Sequence, residues 1–165
     1  MPIPRIEGFL VAPGQLACNA FAMTDEDAIR ALIEARAEAM RCKDAVAAIA
    51  LLAEDIVAFE MVPPLTLAPG SARDEQGMRH WFDSWDGPIE IEIRDLNIHV
   101  DGEIGFAHSL NRLAGTRAGG SRTDIWMRST LGLRKVADGW KIIHGHTSVP
   151  FDPADGYRAR LDIKP

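Results

Sequence analysis

Ile89-Glu90-Ile91-Glu92-Ile93-Arg94-Asp95-Leu96-Asn97-Ile98-His99-Val100 changes phase in its middle. Ile89, Ile91 and Ile93 alternate with charged residues, and Leu96, Ile98 and Val100 then continue on the opposite parity. Alternation at period two marks a strand with one apolar face. A change of parity inside such a strand marks a β-bulge, here at Arg94-Asp95, which bends the strand and increases its twist. Turn pairs follow at Asp101-Gly102, Gly119-Gly120 and Asp138-Gly139. Read as tight hairpins, they chain the bulged strand to three more antiparallel strands.

Upstream the period is helical. Thr24, followed by Asp27, forms a capping-box pattern, with Asp25 and Glu26 suited to a helix N-terminus. Ile29, Ile33, Ala37 and Met40 recur at helical spacing. Cys42-Lys43-Asp44 breaks this helix, and an alanine-rich second helix is expected to about Ala53. A short strand, Ile56 to Val62, ends at Pro63-Pro64. Ser71, with Asp74 three residues on, is expected to cap a third helix reaching about Trp85, where Trp81, Phe82 and Trp85 join the core. Helices followed by a meander predict an α+β fold, with helices on one face of a curved sheet.

The last strand reads Gly139-Trp140-Lys141-Ile142-Ile143-His144-Gly145-His146-Thr147-Ser148. Regular alternation would put Trp140, Ile142, His144, His146 and Ser148 on one side, a face apolar at its start and polar at its end. Such a strand suits a pocket with an apolar base and a hydrogen-bonding mouth. On the second strand of the meander, Phe106, His108, Leu110 and Arg112 share a side, and on the third Met127 and Leu131 do. Placing apolar faces inward sends His108, Leu110, Arg112, Met127, Leu131, His144 and His146 into the cavity. Trp126 and Arg128 then face outward, and an outward tryptophan predicts a covering second subunit, hence a homodimer through the outer sheet face.

Composition bounds the partners. A chain of 165 residues suits a single domain. A net charge of −6 without a basic run argues against nucleic acid. No apolar run approaches the ~20 residues of a membrane span. Cys18 and Cys42 have no metal-ligand spacing and make no disulfide framework, which fits a cytoplasmic setting. Residues 1–23, rich in proline and glycine, read as a loosely ordered arm. A secretion signal and a start at Met23 are the other readings of that segment. The domain is expected over residues 24–151, with residues 152–165 as a C-terminal tail.

The element order, the Leu52-Ala53-Glu54-Asp55-Ile56-Val57 junction and the closing Gly-Trp-Lys-Ile-Ile-His-Gly-His-Thr-Ser strand resemble the nuclear-transport-factor-2-like superfamily. Within it the chain resembles the SnoaL-like and ketosteroid-isomerase-related groups. The resemblance implies a conical barrel with three N-terminal helices over a strongly curved, mostly antiparallel sheet. Matched to the ketosteroid-isomerase pattern, the catalytic acid five positions beyond Asp55 is Glu60. The oxyanion-hole position eight before Asp44 is Arg36, and the second donor falls at or beside Leu131. The base type is kept and the donors are not. The His-x-His-x-Ser of the last strand and Arg112 also resemble the association domain of calcium/calmodulin-dependent kinase, an assembly module.

These residues predict a protein that binds a small organic ligand, acidic or carbonyl-bearing, through Arg36, His108, Arg112, His144, Ser148, Met127 and Leu131. Glu60 and His146 are the candidate catalytic groups for an isomerase, cyclase or dehydratase acting beside a carbonyl. Glu60 is either a general base or the ion-pair partner of Arg36 or Arg112. The alternative is a non-catalytic binding or assembly module. His108, His144 and His146 lack a further ligand motif, so no metal and no cofactor is expected.

Overall fold

The structure, a computed structural model, describes residues 23–165. The arm at residues 1–22, with its secretion-signal and Met23-start readings, and Cys18 lie outside the described residues. Helix α1 (Asp25–Arg41) starts at the expected capping box: the Thr24 side chain accepts from the Asp27 amide, and the Asp27 carboxylate accepts from the Thr24 amide. Helix α2 (Ala45–Ala50) is capped by Asp44 and is shorter than expected. Strand β1 (Leu52–Phe59) therefore begins earlier and ends before the prolines. Ser71–Arg73 is a 3₁₀ turn, and Asp74, not Ser71, caps α3 (Glu75–Asp83). The Ser71 hydroxyl instead donates back to the Ala68 carbonyl.

Four long strands follow: β2 (Trp85–Asp101), β3 (Ile104–Arg117), β4 (Arg122–Val136) and β5 (Gly139–Ser148). They pair antiparallel in sequence, and β1 joins parallel to β5, giving the order β1-β5-β4-β3-β2. The sheet curves, but β1 and β2 do not pair, so it does not close into a barrel. The bulge lies where the parity switch put it. Arg94 pairs with Leu110 and Asn97 with His108, leaving Asp95 and Leu96 opposite one residue, with Asp95 at φ 54°. The tail forms a small ribbon of β6 (Phe151–Asp152) and β7 (Arg158–Ala159).

Helix α1 lies on the concave face. Ile29, Leu32 and Ile33 pack with Leu52, Ile56, Ile98, Ala107, Leu133, Trp140 and Ile142. A second core of Ala45, Phe82, Trp85 and Ile89 sits under α2 and α3. The first turn of α1 is tied to the β4–β5 hairpin, because Lys135 and Trp140 both donate to Asp25, at 2.7 and 3.0 Å.

Small residues on β3 admit the helix. A Cβ added to Gly105 would stand 2.7 Å from the Ile29 Cδ1 atom. So Gly105, Ala107 and Ser109 face inward, and Phe106, His108, Leu110 and Arg112 face outward, opposite to the expected placement. The cause is the loop after β3. A two-residue turn at Gly119-Gly120 would set His108 across from Leu131. In the structure Thr116 pairs with Arg122, and His108 pairs with Thr130. A slip of one residue moves every side chain of a strand to the other face.

The last strand is flipped in the same way. Leu133 pairs with Ile142 but Gly132 with His144, so Ile143 is an extra, bulged residue. Trp140 and Ile142 face the core, whereas His144, His146 and Ser148 turn to the outer face and Gly145 and Thr147 turn inward. Met127 and Leu131 face inward as expected, since they pair with Asn111 and Ala107. Trp126 faces outward as expected but is only 9% exposed within its own chain, with the Arg94 guanidinium stacked 4.7 Å from its ring centre. It needs no second subunit to cover it.

Candidate functional site

The expected cavity residues divide into two groups. Arg36 stands on α1 three and four positions beyond Ile33 and Leu32, in the stripe that faces the sheet. Glu60 follows β1 by one residue and continues the inward parity of Ile56 and Ala58. Thr147 donates to its carboxylate at 3.5 Å. Thr147 pairs with Ser129, and Ser129 with Ser109, both serines being buried on the concave face. The Ser109 hydroxyl donates to the Asn111 side chain at 2.7 Å. A polar row thus crosses an otherwise apolar face, between Leu131 on one side and Met127 on the other.

Arg36 is the unusual group among the expected cavity residues. Its Nε is buried and has no hydrogen-bond partner among the described residues. Burial lowers its pKa from the usual arginine value, and Glu60 offsets part of that through space. The two do not form an ion pair. Glu60 therefore acts on Arg36 only through space, and the buried Nε is left as a donor that a ligand oxygen could satisfy.

Arg112 does not belong to this site. It holds Asp124 through two parallel bonds, Nε at 2.7 Å and Nη2 at 2.9 Å, and reaches Glu90 at 3.1 Å, all on the outer face. Those bonds draw the Asp124 carboxyl down to about 2 and raise the arginine above its ordinary value. His108 and His144 are outer-face residues too. His108 lies beside Phe106, at 5.8 Å between ring centres, and His144 is edge-on to Phe59 at 5.1 Å. Neither faces the concave side where Arg36 stands.

A cleft of about 700 Å³ opens where β1 ends against β5. Glu60, His146 and Ser148 all line it, with an apolar wall of Val57, Phe59, Met61, Leu65, Val149 and Phe151. It brings both candidate catalytic groups to one opening, although they come from opposite faces of the sheet. Sequence reading missed Ser109, Asn111, Ser129 and Thr147. A run of small residues, Gly105, Ala107 and Ser109, beside a helix rich in large aliphatics was the signal that could have found them. Among the described residues no cluster of His, Cys, Asp and Glu is arranged to hold a metal ion.

The family model for the SnoaL-like domain matches residues 29–152. The chain belongs to that family. No curated protein matches the sequence. Among solved structures, this SnoaL-like chain is similar to a nuclear-transport-factor-2-like protein of unknown function from Pseudomonas putida KT2440. The two are 33% identical with a TM-score of 0.74, over 87% of this chain and all of the other. A proposed dehydratase of the same fold family from Streptomyces avermitilis shares 16% identity, TM-score 0.66, over 75% of this chain and 95% of that one. A ketosteroid isomerase-like protein from Erwinia carotovora atroseptica shares 23% identity, TM-score 0.61, over 73% and 92%. The last two likenesses show the fold. No helix among the described residues is long and apolar enough to cross a membrane.

Proposed function

We propose that this SnoaL-like domain binds a small carbonyl-bearing molecule at the mouth of its concave face and transfers a proton beside the carbonyl. The supporting observation is the state of Glu60. Among the described residues no arginine touches it, its hydrogen bond from Thr147 is long at 3.5 Å, and it lines an apolar cleft. A carboxylate closed on an arginine is occupied; one without that partner is available to take a proton from a bound ligand. Arg36 supplies a positive charge within electrostatic reach of Glu60, which favours an oxygen-bearing ligand beside it. His146, in the same cleft, is the second proton carrier. Isomerisation and dehydration both need this pair of functions, and relatives of the fold carry those names.

The test is α-deuteration or isomerisation of a β,γ-unsaturated ketone, followed by NMR in D₂O. Wild-type protein should accelerate it, and Glu60→Gln should lose ~10²–10⁴-fold of the acceleration. A Glu60→Gln variant as active as wild type, or a wild type that moves no deuterium, removes the reading.

The outer face favours a second element of function. Phe59, Phe106 and Ile104 are 40%, 47% and 53% exposed there. We infer a face-to-face homodimer centred on Phe106 and Ile104, not on Trp126.

A further inference from the structure

We infer that the concave face takes its ligand by a carboxylate, held on the Nε–Nη edge of Arg36, so that the substrates are monocarboxylates with an apolar body. The inference rests on the reading of this face as a ligand site, and narrows the class of molecule it accepts.

The chain shows what its arginines do when a carboxylate is within reach. Arg112 presents Nε and Nη2 to the two oxygens of Asp124 at 2.7 and 2.9 Å. Arg160 presents the same two atoms to Asp162, at 2.8 Å each. Even Arg41, without a carboxylate at Nε, spends that donor on the Ile91 carbonyl at 3.1 Å. Arg36 differs from all three: its Nε is removed from water and bonds to nothing among the described residues. A buried N–H left unmade carries the full desolvation penalty of the group.

A neutral carbonyl would satisfy that donor but leave the charge uncompensated. Burial already disfavours the charged guanidinium, and Glu60 acts on it only through space. A carboxylate answers both needs at once, because its two oxygens match the planar edge of the guanidinium. Phosphate is a poorer fit. A dianion would add a second negative charge within reach of Glu60, which already acts on Arg36 through space.

Glu60 links the anion site to the cleft, since it neighbours Arg36 and also lines the opening. The body of the ligand would extend past Glu60 among Phe59, Met61, Leu65 and Phe151. This apolar wall sets the rest of the ligand class. With the carboxylate on Arg36, Glu60 stands between the anion site and the cleft and has no arginine partner of its own among the described residues.

The probes are 1-naphthylacetate and its neutral match, 1-naphthylacetamide. The carboxylate should shift the side-chain Nε–H resonance of Arg36 in the ¹H–¹⁵N spectrum of wild-type protein, a signal identified by its loss in Arg36→Lys. The amide should leave it unmoved. Arg36→Met should bind the carboxylate ~10–100-fold more weakly, with the amide little changed. Equal binding of acid and amide, or an Arg36 signal that the acid does not move, overturns the inference. The proton-transfer reading is judged separately. Carboxylate binding that depends on Arg36, with no deuteration of the ketone, retires the chemistry and keeps the anion site. The reverse outcome, deuteration that depends on Glu60 with no preference for the acid, retires the anion site alone.

Discussion

Three arginines of this chain carry different roles because of where their guanidinium groups sit. Arg112 and Arg160 are surface clamps, each closed on an aspartate whose carboxyl is drawn down to about 2 by the arginine hydrogen bonds. The Nε of Arg36 is buried without a partner among the described residues, and such a group costs stability. Evolution keeps costly groups where function needs them. Arg36→Met should therefore fold at least as stably as wild type, with a gain of up to about 1–3 kcal/mol from removing the orphaned donor. Thermal unfolding checks it; a variant destabilised by the same amount would mean that Arg36 is structural. Glu60→Gln should be nearly silent in the same assay, within about 1–2 °C, because no ion pair is lost. The sequence alone left Glu60 undecided between base and ion-pair partner. Among the described residues no arginine reaches Glu60, a point that depends on distances of a few ångströms that no spacing count can give.

At the scale of elements, the reading of the chain succeeded where a pattern is local and failed where it depends on a single residue in a turn. The capping box at Thr24 and the bulge at Arg94-Asp95 were legible because their signals lie within a few residues. The faces of β3 and β5 were not. One residue of difference in the loop after β3, and one bulged Ile143, reversed the placement of His108, Arg112, His144, His146 and Ser148. Apolar content pointed the wrong way, because α1 needs small residues beneath it. Gly105→Ala tests that account. Its new methyl group would meet Ile29 at 2.7 Å, so the variant should lose about 1–3 kcal/mol in a denaturant titration. A neutral effect would show that the helix can lift. Asp95→Val should also destabilise, by ~1–2 kcal/mol, because φ 54° is hostile to a β-branched residue.

For the whole molecule, the outer face has two unlike ends. At one end Arg112, Arg122 and Lys164 bind Glu90 and Asp124, and the C-terminal tail is drawn in through Lys164 at 3.6 Å. The low pKa of Asp124 fixes the acid limit of this network. Its folded value lies below the ordinary ~3.9 of an aspartate, so its contribution is complete above that pH and is lost as pH falls toward about 2. A carboxyl ¹³C titration should show Asp124 still ionised at pH 3; a midpoint near 4 would mean the clamp is open in solution. At the other end, four of the five histidines, His99, His108, His144 and His146, surround Phe59 and Phe106. Ion pairs there are few, and the rings are the apolar surface left uncovered. A dimer burying on the order of 1,600 Å² would have to use this end, since Trp126 is already closed by Arg94. Phe106→Asp should then halve the sedimenting mass at micromolar concentration. Trp126→Ala should lower thermal stability and leave the mass alone. A wild type that sediments as a monomer, or a mass that responds to Trp126 and not to Phe106, would take the interface away from this end of the sheet.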